Sequence, residues 1–506
     1  MEPTWTHASR FLQGNYGPIM RESERVPVKV VGGDIPDCLV GATYVRNGPN
    51  PHFQPVARHH WFDGDGRVNA VHFDKNGAFF SSKWVRTKDF LFEDKLGKSW
   101  FYGIADFGSL VTMGVEVVRS FLFGTPALGK VSANTAVVFH AHKLLALVEN
   151  GAPHQIASQT LDTVGKFDYD GQLKHAFTAH PKVDPITGEM FAFGYNIGNP
   201  KHPAVSYFWV SPDGKKAPSI AITLKDNRQV MMHDFAITRD YAVFLDYPYV
   251  FALANLLSGK PPLAFMPEAG ARIGVLPRKD ADEKNIKWFT IEASFAFHTA
   301  NAWQDGDKVV VIASRYKHLE LETLAATKEQ ETKLSTGTQH MYVLDMKTGE
   351  VEEKTVVPLQ GDFPVVDEAN RLGFKTRFFW FCVSSKSADG GFGRICKVDL
   401  KDNSTTFFDL GDGEAADEFV FTNGNPERAQ YKGDYDDARN NTAPDDNGFL
   451  TGFVYSRARN TSHLLILNAA TMKEYARIEL PHRVPHGFHG KALTRAQLQS
   501  EVVPSK

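Results

Sequence analysis

The chain has 506 residues, 42% of them hydrophobic, and a net charge of −3, enough material for a large core. The near-neutral balance argues against a nucleic-acid surface, and the three cysteines, Cys38, Cys382 and Cys396, are too few and too separated for a disulfide framework or a zinc cluster. The N-terminus, Met1-Glu2-Pro3-Thr4-Trp5, lacks the basic and apolar regions of a signal peptide, and no run of about 18 uninterrupted apolar residues predicts a spanning helix, so a cytoplasmic protein is expected.

Residues 1–40 read as an N-terminal arm that leads into the first strand. A strand then ends at Tyr44-Val45-Arg46-Asn47-Gly48-Pro49-Asn50-Pro51, and His60 to Gly66 is a tight turn rich in Gly and Asp. A hairpin follows, Val68 to Phe73 and Ala78 to Val85 around Asp74-Lys75-Asn76-Gly77. Similar strand–turn–strand units recur, among them Ala136 to Val148, Glu189 to Val210, Phe235 to Leu245, Lys308 to Ala313, Met341 to Val357, Arg377 to Asp409 and Phe449 to Leu480. Residues 426–447 are polar and turn-rich and read as an exposed loop. Long helical patterns are nearly absent, and many short strands at regular spacing predict an all-β fold. Length and strand count exceed a sandwich, so one propeller domain over residues 1–506, with diverged blades and a few helices and loops, is the expected architecture.

Two apolar stretches break the pattern, 103–129 and 249–266. One reading is helices buried against the sheets. The other is an exposed patch that dips into a lipid surface without spanning it. The 38 phenylalanines, 15 tyrosines and 8 tryptophans fit a large β core and also an aromatic tunnel for a long apolar ligand, and composition does not separate the two.

Histidines carry the chemistry. His482, His486 and His489 lie within eleven residues, in a segment whose prolines and glycines preclude regular helix. The bland reading is a closing loop with solvated histidines. Three distant histidines sit in comparable settings: His180 before Pro181-Lys182, His233 in Met232-His233-Asp234, and His298 in Phe297-His298-Thr299. Each is followed by residues that read as a strand start or a turn, and none forms a helical HExxH pair. Any metal site must be assembled from separate parts of the fold, and strand starts converging on a propeller axis offer that. Four imidazoles would leave a divalent iron its full positive charge, and acids on the far ring nitrogens would set the tautomers. Glu149, Asp362 and Glu418 are candidate acids in strand-like settings.

From Leu12 to Gly490 the chain resembles the carotenoid cleavage oxygenases, and most of all their plant-type members and fungal relatives. The motifs that carry the likeness are Arg46 to Pro51, His60 to Gly66, Ala179-His180-Pro181-Lys182, Met232-His233-Asp234, Phe297-His298 and Val484 to Gly490. The resemblance implies a seven-bladed β-propeller with Fe(2+) on its axis, held by His180, His233, His298 and His489, while His482 and His486 revert to the bland reading. It implies Glu149 beside His233, Asp362 beside His298 and Glu418 beside His489. Most members of the family carry glutamate at 362 and some plant-type members aspartate, and the shorter arm of Asp362 is expected to need a strand shift or a water to reach His298. The implied reaction is oxidative cleavage of a carbon–carbon double bond by dioxygen to two carbonyl products, on an apolar polyene. Phe62 and Phe297 are candidates to line the substrate tunnel, and Thr135 is similar to a family residue near the open iron position. A hydroxystilbene-cleaving branch of the family places a lysine where this chain has Val148. Tyr102 is a candidate to supply the missing donor. A propeller that has lost activity and serves as a binding module is the reading of another class. No protein partner is implied, and the two apolar stretches would make any membrane contact peripheral.

Overall fold

The computed structural model describes residues 5, 9–106, 110–123, 129–197, 203–252, 254, 263–319, 337–385, 391–425 and 444–504. Among the described residues, seven antiparallel blades of four strands follow one another along the chain and make a seven-bladed propeller, with Ser23–Gly32 added between the outer edges of the first and seventh and Glu414–Ala416 bridging the sixth and seventh. The second blade is Ala136–His140, Lys143–Leu147, His154–Ile156 and Thr163–Lys166. The third is Lys182–Val183, Met190–Tyr195, Val205–Val210 and Ile220–Ile222. The fourth is Phe235–Ile237, Tyr241–Asp246, Ala271–Pro277 and Lys287–Ile291. The fifth begins with Phe295–Asp305, Lys308–Tyr316 and Thr338–Asp345. Its fourth strand is the first part of Val351–Val365, whose last residues cross over to open the sixth blade with Phe378–Ser384, Phe392–Asp399 and Ser404–Asp409. The seventh is Val420–Asn423, Gly448–Ser456, Thr461–Asn468 and Lys473–Glu479.

The first blade joins the two ends of the chain. Gly490–Leu493 is its first strand and pairs with Thr43–Pro49, which continues into Gly66–Asp74 and Gly77–Trp84. Backbone hydrogen bonds between residues more than 440 positions apart therefore close the ring, with Arg46 opposite Gly490. The 1–40 segment is more than an arm. Its strand Ser23–Gly32 pairs with the outer strand of the first blade, Val28 opposite Ala78, and with that of the seventh, Lys29 opposite Glu479.

Middle strands are covered on both faces, so they read as unbroken apolar runs instead of alternating. Leu464, Leu465, Ile466 and Leu467 are all fully buried. Consecutive residues face opposite ways in a strand, so this run packs against the neighbouring blades on both sides. Phe193, Phe235 and Phe244 interlock edge-to-face and stacked between the third and fourth blades.

Helices are few. The helix α1, Lys88–Leu96, starts at Thr87, whose hydroxyl accepts from Phe90 N–H, and stops at Gly97, which takes a left-handed φ of 72°. The helix α2, Leu110–Phe123, lies in the first apolar stretch, and the described residues Val117, Val118, Phe121 and Leu122 on it are 56%, 58%, 90% and 65% exposed. One described face of α2 is therefore exposed, while Glu116 on it is buried. The ends of the second apolar stretch are not helical: Tyr249–Phe251 pairs with Leu263–Phe265 as a two-stranded ribbon. The β-branched and aromatic residues at its ends favour strand over helix. Residues 253 and 255–262 of that stretch, and most of the loop expected at 426–447, lie outside the described residues.

Candidate metal centre

The four histidines belong to four inner strands, and three of them stand at the strand start. His180 precedes Lys182–Val183, His233 precedes Phe235–Ile237, and His489 precedes Gly490–Leu493. His298 differs from expectation, because it lies inside its strand, Phe295–Asp305, at a register irregularity between Ala296 and Thr299. The irregularity breaks the alternation of side chains and turns the imidazole to the axis.

One ring nitrogen from each histidine falls in a cluster whose members all lie within 4.8 Å of one another. Nε2 of His180 is 3.0 Å from Nε2 of His233, and Nε2 of His298 is 3.2 Å from Nε2 of His489. On three of the four rings the far nitrogen is already committed. His298 Nδ1 donates to Asp362 Oδ1 at 2.8 Å, His489 Nδ1 to Glu418 Oε1 at 2.8 Å, and His233 Nδ1 abuts Glu149 Oε1. A neutral imidazole that donates through Nδ1 presents a lone pair at Nε2. Three lone pairs thus converge with the fourth ring, an arrangement that repels itself unless a cation sits between. Nitrogens side by side on an ion with bonds of about 2.1 Å are roughly 3.0 Å apart, so the spacing fits a first-row divalent metal. Burial holds His180 well below the usual histidine pKa and so favours its neutral, ligating form.

Asp362 reaches His298 directly, with no water between, and does so at a register irregularity of its strand between Asp362 and Val365. Gly361 sits where an added Cβ would lie 2.1 Å from the Cys382 carbonyl, and Phe363 takes a φ of 56°. This tight crossing between the fifth and sixth blades carries the short carboxylate to the ring. Its second oxygen accepts the hydroxyl of Tyr316, and Phe363 stacks on the His298 ring with centroids 5.1 Å apart. Burial opposes the charge of Asp362, yet His298 and Tyr316 outweigh it and keep the carboxyl below its ordinary pKa. Glu149 likewise accepts a hydroxyl, from Tyr195, and Glu418 accepts Gly490 N–H at 2.7 Å. Sequence reasoning missed Tyr195 and Tyr316. Both end strands as single aromatics among many, and nothing local marks them.

The remaining candidates are spread around the centre. Phe297 meets the His233 ring edge-on at 5.3 Å, and Phe62 meets Phe297 at 6.1 Å, so the two form one aromatic wall. The Thr135 carbonyl accepts His489 N–H at 3.2 Å, while its hydroxyl donates to Asn134 at 3.0 Å. Val148 is half-buried between Leu147 and Glu149. Tyr102 is half-buried with the Arg119 guanidinium 5.0 Å over its ring, and its described contacts are with the 116–119 turn, not with the histidines. His486 is not solvated, and His482 is half-buried. His486 is 2% exposed and donates through Nδ1 to Asp417 at 2.8 Å, in a cluster with the buried Arg46, which is 2.6 Å from the same carboxylate. A buried guanidinium needs a buried counter-charge, and that draws the loop inward. His482 bonds to the Arg483 carbonyl at 2.7 Å.

Residues 16–491 match the family described as RPE65, retinal pigment epithelial membrane protein. The carotenoid 9,10(9′,10′)-cleavage dioxygenase 1 of Phaseolus vulgaris is 37% identical over 97% of this chain and 90% of its own, and that of Arabidopsis thaliana is 36% identical over 97% and 91%. Among solved structures, a Synechocystis apocarotenoid oxygenase superposes with a TM-score of 0.78 at 26% identity, covering 95% of this chain and 98% of that one. The lignostilbene dioxygenase of Pseudomonas brassicacearum superposes with a TM-score of 0.80 at 24% identity over 96% and 99%, a likeness of fold. With a family match over nearly the whole length and relatives above one-third identity, the chain belongs to the RPE65 family, that of the carotenoid cleavage oxygenases.

Proposed function

We propose that the chain is a non-haem Fe(2+) dioxygenase that cleaves a carbon–carbon double bond of a carotenoid or apocarotenoid to two carbonyl products. The observation that carries this is the convergence of four imidazole nitrogens with three carboxylates on the far side of the rings. His180, His233, His298 and His489 would hold the iron, and iron supplies the binding and activation of dioxygen. The protein does the rest. Glu149, Asp362 and Glu418 hold three rings in one tautomer and orientation. No carboxylate ligates directly, so the negative charge stays one ring away from the metal. Phe62 and Phe297 give the centre an apolar wall that keeps water off and fits a polyene. Overall, both atoms of dioxygen end in the two new carbonyls and the carbon–carbon bond is lost. The names of the plant relatives make the 9,10 bond the first candidate.

Val148 supports the polyene over the hydroxystilbene. A phenol buried beside it would lack a donor, at a cost of several kcal/mol, whereas a polyene gains about 25 cal/mol per Å2 buried. The apolar substrate is delivered at a lipid surface by α2, whose exposed residues suit partial insertion. No helix among the described residues is long and apolar enough to cross a membrane. The propeller with its N-terminal segment acts as one catalytic domain, placed in the cytoplasm and in peripheral contact with a membrane.

The test is product analysis. Iron-loaded protein is incubated in detergent with a carotenoid, a long-chain apocarotenal and a resveratrol-like stilbene under labelled dioxygen. Polyene cleavage with label in both carbonyls is expected. Stilbene cleavage without polyene turnover would move the chain to the other branch, and a purified protein that takes up no iron would make it a binding module.

A further inference from the structure

We propose that Asp234 is a positioning residue of the metal centre, a single buried carboxylate that ties together the three chain segments bearing His180, His233 and His298. The inference rests on the metal reading above and adds a residue to it. Asp234 directly follows His233 and is 2% exposed. Its Oδ2 accepts both the N–H and the hydroxyl of Thr299, at 2.8 and 2.7 Å, and Thr299 directly follows His298. Its Oδ1 lies 2.8 Å from Lys182 Nζ, two residues past His180, and accepts Phe235 N–H at 2.8 Å. Four donors thus use the full capacity of one carboxylate. They come from the inner strands of the third, fourth and fifth blades.

The role follows from what else holds those strands. Beside the ligands, neighbouring blades meet through apolar side chains such as Phe193, Phe235 and Phe244, a non-directional contact that tolerates small slips. Their other directional links, Arg278 to Asp184 and Gln304 to Thr238 and Asp240, lie four or more residues along the chain from any ligand. Ligand nitrogens within 4.8 Å of one another do not tolerate them. Directional, charge-assisted bonds from one rigid group to the residue beside each ligand set the axial register of the three strands. Asp234 acts through the backbone that carries the rings.

The experiment uses the full chain, first stripped of metal and then titrated with Co(II), whose visible bands report ligand geometry. Hydrogen–deuterium exchange of the metal-free chain is compared for wild type, Asp234→Asn, Thr299→Val and Thr299→Ser. In Asp234→Asn, uptake should rise together in 178–183, 231–235 and 297–300, with the sixth and seventh blades unchanged. Co(II) affinity should fall about tenfold, the low end of the cost of losing an outer partner, with shifted bands. Thr299→Val should give a weaker form of both effects, and Thr299→Ser, which keeps the hydroxyl, should restore them. A rise confined to 231–235, a rise spread evenly over the whole chain, or wild-type Co(II) affinity and spectrum in Asp234→Asn would overturn the proposal. If Asp234→Asn does not fold, the Val and Ser variants decide by the same readings. A wild type that takes up no Co(II) would sink the metal reading, while the joint exchange in the metal-free chain still decides whether Asp234 braces the three segments.

Discussion

Asp362 Oδ1 lies 2.8 Å from His298 Nδ1, a direct bond made by the shorter of the two acidic side chains. Its other oxygen takes the Tyr316 hydroxyl, and the residue is 4% exposed. Asp362→Asn should therefore weaken metal binding by roughly 10–100-fold, and Asp362→Glu should cost about 1–3 kcal/mol of stability, because the extra methylene has no room. Competition with a chelator and urea unfolding measure the two. A glutamate variant as stable and as tightly metallated as wild type would show that the crossing is not tuned to the short arm.

Tyr195 and Tyr316 each donate to a carboxylate that in turn holds a ligand. Tyr195→Phe and Tyr316→Phe should each lower stability by about 1.5–3 kcal/mol, the range for a bond to a charged group, and weaken metal binding. Unchanged values in both would make the hydroxyls bystanders.

His489→Ala should remove the bound metal or nearly all activity, as should Ala at His180, His233 or His298, since the site has no spare protein ligand. His486→Ala should keep the metal and lose stability, because it leaves the Arg46–Asp417 pair short of one partner. The opposite pattern at 486 and 489 would show the wrong histidine in the site.

Four buried histidines predict the acid side of the stability curve. Burial, reinforced by nearby cations, pushes His60 and His463 down to about 3 and His72 and His154 down to about 4. Below 6.5 the unfolded chain takes up protons that the folded chain refuses, so stability rises with pH and is lost as pH falls from 6.5 toward 4. Each such histidine contributes about 1.4 kcal/mol per pH unit in that window. Urea midpoints should fall steadily from pH 7 to 5, and His463→Gln should reduce the slope by about one proton. A flat profile would mean that these rings are protonated in the fold.

Phe121 is 90% exposed on α2. Phe121→Asp should abolish co-sedimentation with lipid vesicles while leaving cleavage of a detergent-dispersed apocarotenal intact. Equal vesicle binding by the variant would remove α2 from the delivery route.

Much of the protein was legible in its residues alone. Turn residues at regular spacing marked the strands, because Gly, Pro, Asn and Asp act locally. The histidine motifs named their chemistry, because imidazoles with prolines and glycines around them are conspicuous in any fold. Tertiary structure decided the rest. Whether Asp362 reaches His298 depended on a φ of 56° at Phe363 and on Gly361 touching the Cys382 carbonyl. Tyr316 and Thr299 matter only because distant strands bring them to Asp362 and Asp234. That His486 is buried and bonded to Asp417 while His489 ligates turns on three residues of loop, beside an arginine 440 positions away. The strand in the N-terminal segment was missed for the same reason. Val26, Val28 and Val30 do alternate with Pro27, Lys29 and Val31, but the edges they pair with are two outer strands at opposite ends of the chain. Local chemistry names a ligand, but only the packing of the ring sets which groups stand within bonding distance of it.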